Sequence, residues 1–313
     1  MRAWLQWRRR PRPAATVAVL VLALAPAHAG GRTAAAGHPS RPQSTWPRRV
    51  VLTNDDGVES PGLRALARAF ARAAETWVVA PAADRSGSTN YSRALAERRI
   101  AVERRDLVTG VRAYAVDGFP ADAVIVALRS ELLSGPPDLV ISGINVGPNL
   151  ATDWAYSGTI GAARTAALLG VRALAVSGLE PTDSVTAAAI ADWIVALAAS
   201  PIVRELEPGQ YLTVSFPRRP AGEIGGPDVT RRGGPRWSFE LRSNVDASTD
   251  GRRVYDLHLP EAEVPTAEGT DVAAYGAGRI AIVGMRVDEQ DPELQRRLVA
   301  QHGALPGWPA RQR

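Results

Sequence analysis

The 313 residues contain no cysteine. A disulfide framework, a thiolate metal site and a cysteine nucleophile are therefore excluded. Histidine is scarce, with four in the chain. His28 and His38 precede the first periodic segment, and His258 and His302 lie far in sequence from the candidate nucleophile Ser157. With no G-x-S-x-G elbow either, a Ser–His–Asp hydrolase and a histidine zinc site both lack their parts. There is no G-x-x-x-x-G-K-[ST] loop, and "GINVGPN" lacks the dinucleotide G-x-G-x-x-G spacing. Aromatic residues make up only 6% of the chain. Valine, leucine, isoleucine and alanine must then build the core, and a 45% hydrophobic content is enough for one large domain or two small ones.

What is present begins with a leader pattern. Arg2, Arg8, Arg9, Arg10 and Arg12 form a basic segment, an apolar run covers residues 14–25, and Ala27-His28-Ala29 supplies a small-x-small cleavage pattern. Residues 1–29 thus read as a secretory signal peptide. The apolar run is short of the roughly 20 residues that a membrane-spanning helix needs, so no stable membrane anchor is expected. The expected location is periplasmic or extracellular, with general and twin-arginine export both open. Removing the five leader arginines from 37 basic residues leaves 32, equal to the 32 acidic ones. The basicity belongs to the leader and gives no ground for a nucleic-acid partner. Residues 30–47 are rich in Gly, Ala, Ser and Pro and read as a flexible linker.

The body of the chain, residues 48–290, alternates two periods. The β-branched run at 49–53 suits a buried strand. Ser60 and Pro61 then read as N-cap and first residue of a helix whose Leu63, Leu66, Ala67 and Phe70 share one face. Strands are expected at 77–80, 112–116, 138–142 and 173–177, with helices at 120–133, 158–169 and 183–199 between or after them. Such alternation implies an α/β fold: a Rossmann-like, mostly parallel sheet with helices on both faces. Beyond residue 210, short strands at 211–215, 254–259 and 279–285 among Gly- and Pro-rich stretches read as late sheet strands plus a C-terminal β-hairpin extension. Residues 291–313 read as a tail.

In an open α/β sheet, ligands bind at the carboxyl ends of the strands. Three loops there are polar and carry glycine. The first is Asn54-Asp55-Asp56-Gly57, where two adjacent carboxylates repel each other. By itself it reads as a tight turn sooner than as a site. The second is "PAADRSGSTNYS" at 81–92, and the third is "GINVGPNLATDWAYSGT" at 143–159. Their combined chemistry is hard oxygen, suited to Mg²⁺, Mn²⁺ or Ca²⁺. A divalent cation would neutralise both aspartates. Ser157-Gly158-Thr159 opens a helix whose N-terminus suits an anion. A cation beside an anion pocket reads as phosphoryl chemistry.

At this point the chain resembles a known family. "VVLTNDDGVESPGLRALARAF", "VVAPAADRSGSTN", "VISGINVGPNL" and "YSGTIGAARTAALLGVRALAVS" are similar in wording, order and spacing to the SurE survival proteins, metal-dependent 5′-nucleotidases. "DVTRRG" and "GTDVAAYGAGRIAIVGMRVD" extend the likeness over about residues 49–288. The resemblance implies a Mg²⁺ or Mn²⁺ ion held by Asp55, Asp56, Ser86 and Asn145. It implies phosphate contacts from Asn149, Ser157 and Thr159. It also implies nucleoside monophosphate substrates, with 3′-nucleotides or short polyphosphate in some members, and a homodimer or homotetramer formed by hairpin exchange. The chain departs from the pattern in three ways. It has a leader and linker, Phe119 stands where threonine is common, and residues 222–265 match poorly.

The expected reaction is hydrolysis of a phosphomonoester. Asp55 and Asp56 are the catalytic pair, Asp56 the favoured general base, and Asn149, Ser157 and Thr159 stabilise the phosphoryl oxygens. Two alternatives stay open: an exported carboxylesterase using Ser157, and a non-catalytic nucleotide- or metal-binding protein.

Overall fold

A computed structural model describes residues 46–180, 183–260, 267–289 and 291–300. The expected signal peptide at 1–29 and all but the end of the linker at 30–47 lie outside the described residues, as does the tail beyond 300.

The chain opens with β1 (Arg49–Thr53), α1 (Pro61–Phe70) and β2 (Glu75–Pro81), the expected strand–helix–strand unit. Ser60 caps α1, its hydroxyl accepting from the Leu63 amide, and Pro61 occupies the first turn. Next come α2 (Arg93–Glu97), β3 (Val102–Arg105), β4 (Arg112–Val116), α3 (Pro120–Arg129) and β5 (Leu139–Val146). The helix expected over 120–133 stops four residues early. Ser130 turns extended, at ψ 177, and its hydroxyl donates to the Val126 carbonyl at 2.6 Å. The strand expected over 138–142 instead runs on to Val146, because its last residues still pair with the neighbouring strand across a bulge.

Then follow α4 (Gly158–Leu168), β6 (Arg172–Leu179), α5 (Ser184–Ala198), α6 (Pro201–Arg204) and β7 (Gln210–Ser215). The C-terminal part holds β8 (Gly225–Val229), β9 (Glu240–Thr249), β10 (Arg252–His258), α7 (Asp271–Gly276), β11 (Arg279–Arg286) and α8 (Pro292–Ala300). Helix α8 lies where a tail was expected. Its start has a capping signature, with Asp291 accepting from the Glu293 and Leu294 amides at 2.9 and 3.1 Å just before Pro292.

Among the described residues, nine strands form one sheet in the order β3-β4-β2-β1-β5-β6-β7-β11-β8. From β4 to β7 all neighbours are parallel; β3 pairs antiparallel with β4, and β11 pairs antiparallel with β7 and parallel with β8. Strands β9 and β10 form a separate antiparallel hairpin, the expected extension. Alternate residues of β1 feed opposite layers. Val50 and Leu52 pack with Leu63, Leu66 and Phe70 of α1 and Ile190 and Ile194 of α5. Val51 packs with Val124 of α3 and Ala163 of α4. Period-2 side chains covered on both sides explain why the central strands read as unbroken apolar runs.

Both edges of the sheet are poor templates. Strand β3 is Val-Glu-Arg-Arg, and β8 is Gly-Gly-Pro-Asp-Val. Charge and proline are the usual ways to blunt an edge.

The chain leaves β1 toward β2 and β4, then returns to β5 on the other side of β1. The strand order therefore reverses between β1 and β5, and the crevice outside their carboxyl ends is where such a sheet binds ligands.

Candidate active site

The residues after β1 sit at that crevice. Asn54 is fully buried, and its amide donates to the Gly57 carbonyl at 2.9 Å and the Ser60 hydroxyl at 2.7 Å. It locks the turn that carries the two aspartates. Asp55 is buried too, and its Oδ1 accepts from the Thr159 hydroxyl at 2.5 Å. The Thr159 amide faces the same carboxylate. Asp55 thus occupies the anion position at the N-terminus of α4.

This changes the reading of Thr159. It was expected to contact phosphate, but it is fully buried with its hydroxyl committed to Asp55. Its place in the geometry is to hold the aspartate. Ser157 remains at the surface of the site, and its oxygen caps α4 by accepting from the Ile160 amide at 3.1 Å, leaving its proton to donate.

A cavity of about 480 Å³ opens over this region. Asp55, Ser86, Asn145, Asn149 and Ser157 all line it, so five of the seven expected site residues share one wall system. Asp56 and Thr159 lie behind that lining. Ser86, on the exposed loop after β2, donates to Asp84 Oδ1 at 2.7 Å, which leaves its oxygen lone pairs toward solvent. Asn145 lies at the bulge near the end of β5, not in the loop beyond it as expected. Its amide group donates to the Val146 and Gly147 carbonyls at 3.0 and 3.3 Å, which turns its Oδ1 the other way. Asn149 is fixed by its backbone: its amide donates to Ser177 Oγ at 3.0 Å and its carbonyl accepts from Ser215 Oγ at 3.0 Å. Its side-chain Nδ2 is buried with no partner.

Unpaired polar atoms cluster here. Besides Asn149 Nδ2, they include Asp56 Oδ2 and Ser88 Oγ. Buried polar atoms are normally satisfied, so a ligand is the physical expectation. An orphaned carboxylate oxygen beside a second carboxylate and two neutral oxygens is a donor set that suits a hard divalent cation. Among the described residues, no three His, Cys, Asp or Glu side chains converge. Such a site would therefore rest on two carboxylates plus serine and asparagine oxygens.

Electrostatics agree. Burial raises the Asp55 carboxyl above the ordinary carboxylate range, against the lowering effect of the Thr159 bonds. Burial pushes Asp56 up to about 7, with help from the negative charges of Asp55 and Asp84, while the Val146 amide pulls the other way.

The loop after β2 is tied to α4. Asn90 donates to the Gly161 carbonyl at 2.7 Å and the Thr165 hydroxyl at 2.6 Å, and accepts from Arg164 Nε at 2.5 Å. Gly161 permits the approach, since a Cβ there would lie 2.0 Å from the Thr89 carbonyl oxygen. The far end of the loop is held by Asp122, buried in the first turn of α3. It accepts from Ser92 Oγ and from the Arg93, Ala94 and Phe119 amides. Phe119, which stands where threonine is common, packs edge-on against Tyr91 at 4.6 Å and under the Arg85 guanidinium. It is not among the residues lining the cavity.

Sequence reasoning missed three contributors. Ser88 is one hydroxyl among several in its loop, with nothing in the spacing to single it out. Asp84, two residues before Ser86, was legible only as loop polarity. The third is the far wall of the cavity, where Tyr156, Arg236, Trp237, Phe239 and Leu259 come together from distant segments.

The sequence model of the family described as survival protein SurE matches residues 50–239. The 5′-nucleotidase SurE of Azorhizobium caulinodans is 34% identical over 259 residues, covering 80% of this chain and 97% of that protein. The 5′-nucleotidase SurE of Heliobacterium modesticaldum is 38% identical over 247 residues, covering 77% and 86%. Among solved structures, the SurE protein from Aquifex aeolicus superposes with a TM-score of 0.67 at 29% identity, covering 81% of this chain and 99% of that one.

Proposed function

The chain belongs to the SurE survival-protein family, and on that premise we propose that it is a metal-dependent 5′-nucleotidase, a hydrolase releasing phosphate from nucleoside 5′-monophosphates. One observation carries the reading. Of two adjacent aspartates at the β1/β5 switch point, Asp55 lines a cavity that also presents the unpaired Asn149 amide, and Asp56 beside it keeps an orphaned oxygen.

Asp55, Asp56, Ser86 and Asn145 would hold the divalent cation, Mg²⁺ or Mn²⁺. When bound, it would supply charge neutralisation and Lewis acidity toward a phosphoryl group and water. The chain's own groups do the rest. Thr159 fixes Asp55, Asn149 Nδ2 and the Ser157 hydroxyl donate to phosphoryl oxygens, and the N-terminus of α4 adds its dipole behind Asp55. Asp56 takes a proton from the attacking water, because burial raises the proton affinity of its carboxyl and one of its oxygens is free. 3′-Nucleotides and short polyphosphate are further candidate substrates for the same phosphoryl site.

The carboxylesterase alternative finds no support. The Ser157 oxygen caps α4, and among the described residues no histidine lines the cavity. The reading extends to an exported homodimer or homotetramer. Export rests on the leader pattern at 1–29, and assembly on the exposed apolar side chains of the β9–β10 hairpin, Leu241, Val245 and Leu257 among them. Among the described residues, no helix is long and apolar enough to cross a membrane.

The test is phosphate release from nucleoside monophosphates with Mn²⁺ or Mg²⁺, with and without EDTA. Release that EDTA abolishes is expected, and Asp55→Asn should lower kcat/KM at least about 100-fold. Nucleotide binding without release would instead mark a non-catalytic binder.

A further inference from the structure

Helix α4 is built almost wholly of small and apolar residues, and Arg164 is the only charged one in it. Gly161, Arg164 and Thr165 lie one turn apart, on the face that meets the loop after β2. The Arg164 guanidinium spends its donors in three directions. Nε donates to Asn90 Oδ1 at 2.5 Å, Nη2 to the Thr89 hydroxyl at 3.3 Å, and Nη1 to Glu289 Oε1 at 3.0 Å. Its Cζ also lies 5.5 Å from the centre of the ring of Trp154, three residues before Ser157. The side chain is only 14% exposed, yet it is not among the residues lining the cavity. A charge so placed is costly to bury unless its partners repay it.

Two of those bonds reach a strained stretch of backbone. Thr89 has φ 46°, in the left-handed region that a β-branched residue avoids. Such a residue persists where its surroundings over-determine it. Arg164 holds its hydroxyl, its amide donates to the Tyr156 carbonyl at 3.1 Å, and its carbonyl backs onto Gly161. Gly87, two residues earlier, is left-handed as well, at φ 74°. Together the two turns fold the loop over the aspartates. Ser88 Oγ and Asp55 Oδ2 both crowd over Gly158, where a Cβ would lie 2.9 and 2.8 Å from them. Ser86, the cation donor of this loop, stands two residues before Ser88.

We infer that Arg164 is a positioning residue for the cation site: it clamps loop 86–90 in its strained conformation, and so sets cation affinity without touching cation, substrate or water. The inference rests on the reading of Asp55, Asp56, Ser86 and Asn145 as the cation's donors. The guanidinium suits the task because its planar fork serves Asn90 and Thr89 side by side while Nη1 reaches out to Glu289. A lysine ammonium is a point charge and cannot meet all three. Trp154 and Glu289 in turn hold the fork in place. Residues that orient the donors from behind tune a cation's affinity as the donors themselves do.

The experiment measures Mn²⁺ binding to the EDTA-stripped, nucleotide-free protein by calorimetry. Arg164→Met keeps the apolar stem and removes every donor, and it should weaken binding about tenfold. Arg164→Lys should fall between that variant and the wild type. Adding Thr89→Gly to Arg164→Met should recover at least about threefold, because glycine takes the left-handed conformation without being held in it. A general loosening of α4 would not be recovered in this way. A cation-independent arm is hydrogen exchange on the metal-free protein, where Arg164→Met should speed exchange of the Thr89 amide about tenfold and leave the amides inside α4 unchanged. In phosphate release from adenosine 5′-monophosphate, the loss of kcat/KM at limiting Mn²⁺ should shrink to within about threefold at saturating Mn²⁺. Circular dichroism checks folding, and if Arg164→Met does not fold, Arg164→Lys carries the same measurements with smaller shifts. Unchanged Mn²⁺ affinity overturns the inference, as does a loss that Thr89→Gly leaves in place. If the wild type binds no Mn²⁺, the cation reading falls, and Thr89 exchange alone decides whether Arg164 holds the loop. If Mn²⁺ binds in an Arg164-dependent way and no nucleotide releases phosphate, the nucleotidase reading falls and the inference stands.

Discussion

Asp56 carries a charge that the folded protein resists. Its carboxyl sits at about 7 instead of the ordinary 3.8, through burial first and then repulsion from Asp55 and Asp84. A group whose folded value is raised stabilises the fold while protonated. That contribution is full below about 3.8 and disappears as pH rises through about 7. The metal-free protein should therefore melt at lower temperature at pH 8 than at pH 5.5, and Asp56→Asn should flatten that slope. A cation must displace the same proton. Mn²⁺ affinity, measured by calorimetry, should fall about tenfold per pH unit below about 7 and level off above it. A slope of the opposite sign would remove Asp56 from the site. The paired aspartates were legible in the sequence because a strand ran straight into them. The duty of Thr159 was not, because a hydroxyl at a helix N-terminus looks the same whether it faces a ligand or a neighbouring carboxylate.

Between α4 and the loop after β2, contact is backbone against backbone. Alanine normally improves a helix interior over glycine by up to about 1 kcal/mol. At Gly161 the sign reverses, since the new Cβ would meet the Thr89 carbonyl oxygen at 2.0 Å. Gly161→Ala should cost about 1–3 kcal/mol by forcing the two apart. It should also weaken Mn²⁺ binding, because the loop carries Ser86 and Ser88. Thermal melts with and without Mn²⁺ check both, and a stabilised variant would refute the contact. Most of the elements that sequence reading captured have side chains that face a packed layer; β10, expected over 254–259, is an exception with mostly exposed residues. Strands β1, β2, β5, β6 and β7 show the packing as apolar runs, and α1 as a periodic stripe with Ser60 and Pro61 at its start. Strands β3, β8 and β9 have mostly exposed residues, so no hydrophobic period marks them. Helix α8 did carry a signal, Asp291 before Pro292, but it is exposed along its length and lacks a buried stripe.

At the level of the whole molecule, the sheet and the hairpin have different dependencies. The sheet is covered on both faces by α1 and α5 and by α3 and α4. The β9–β10 hairpin is a separate two-stranded sheet with Leu241, Val245, Tyr255 and Leu257 exposed. Two strands alone are marginal in water, so hairpin stability is expected to come from association. Replacing residues 241–257 by a short Gly-Ser loop should leave the melting temperature of the α/β body within a few degrees. The same deletion should reduce the mass seen by sedimentation to that of one chain. An unchanged oligomer would place the interface elsewhere. The reversal of strand order between β1 and β5 explains why three loops distant in sequence share one cavity. Their meeting was legible from the strand–loop alternation. The aromatic wall was not, because Trp237 and Phe239 reach the cavity through a segment with no periodicity.

The charged β3 and the proline-bearing β8 have a consequence for handling. A sheet whose two rims reject further strands cannot seed its own growth when copies are crowded or partly opened by heat. Among the described residues, the hairpin alone offers a rim fit for strand addition, so clouding on heating should nucleate there, and antibodies or charged substitutions directed to β9 should delay it while leaving turnover intact.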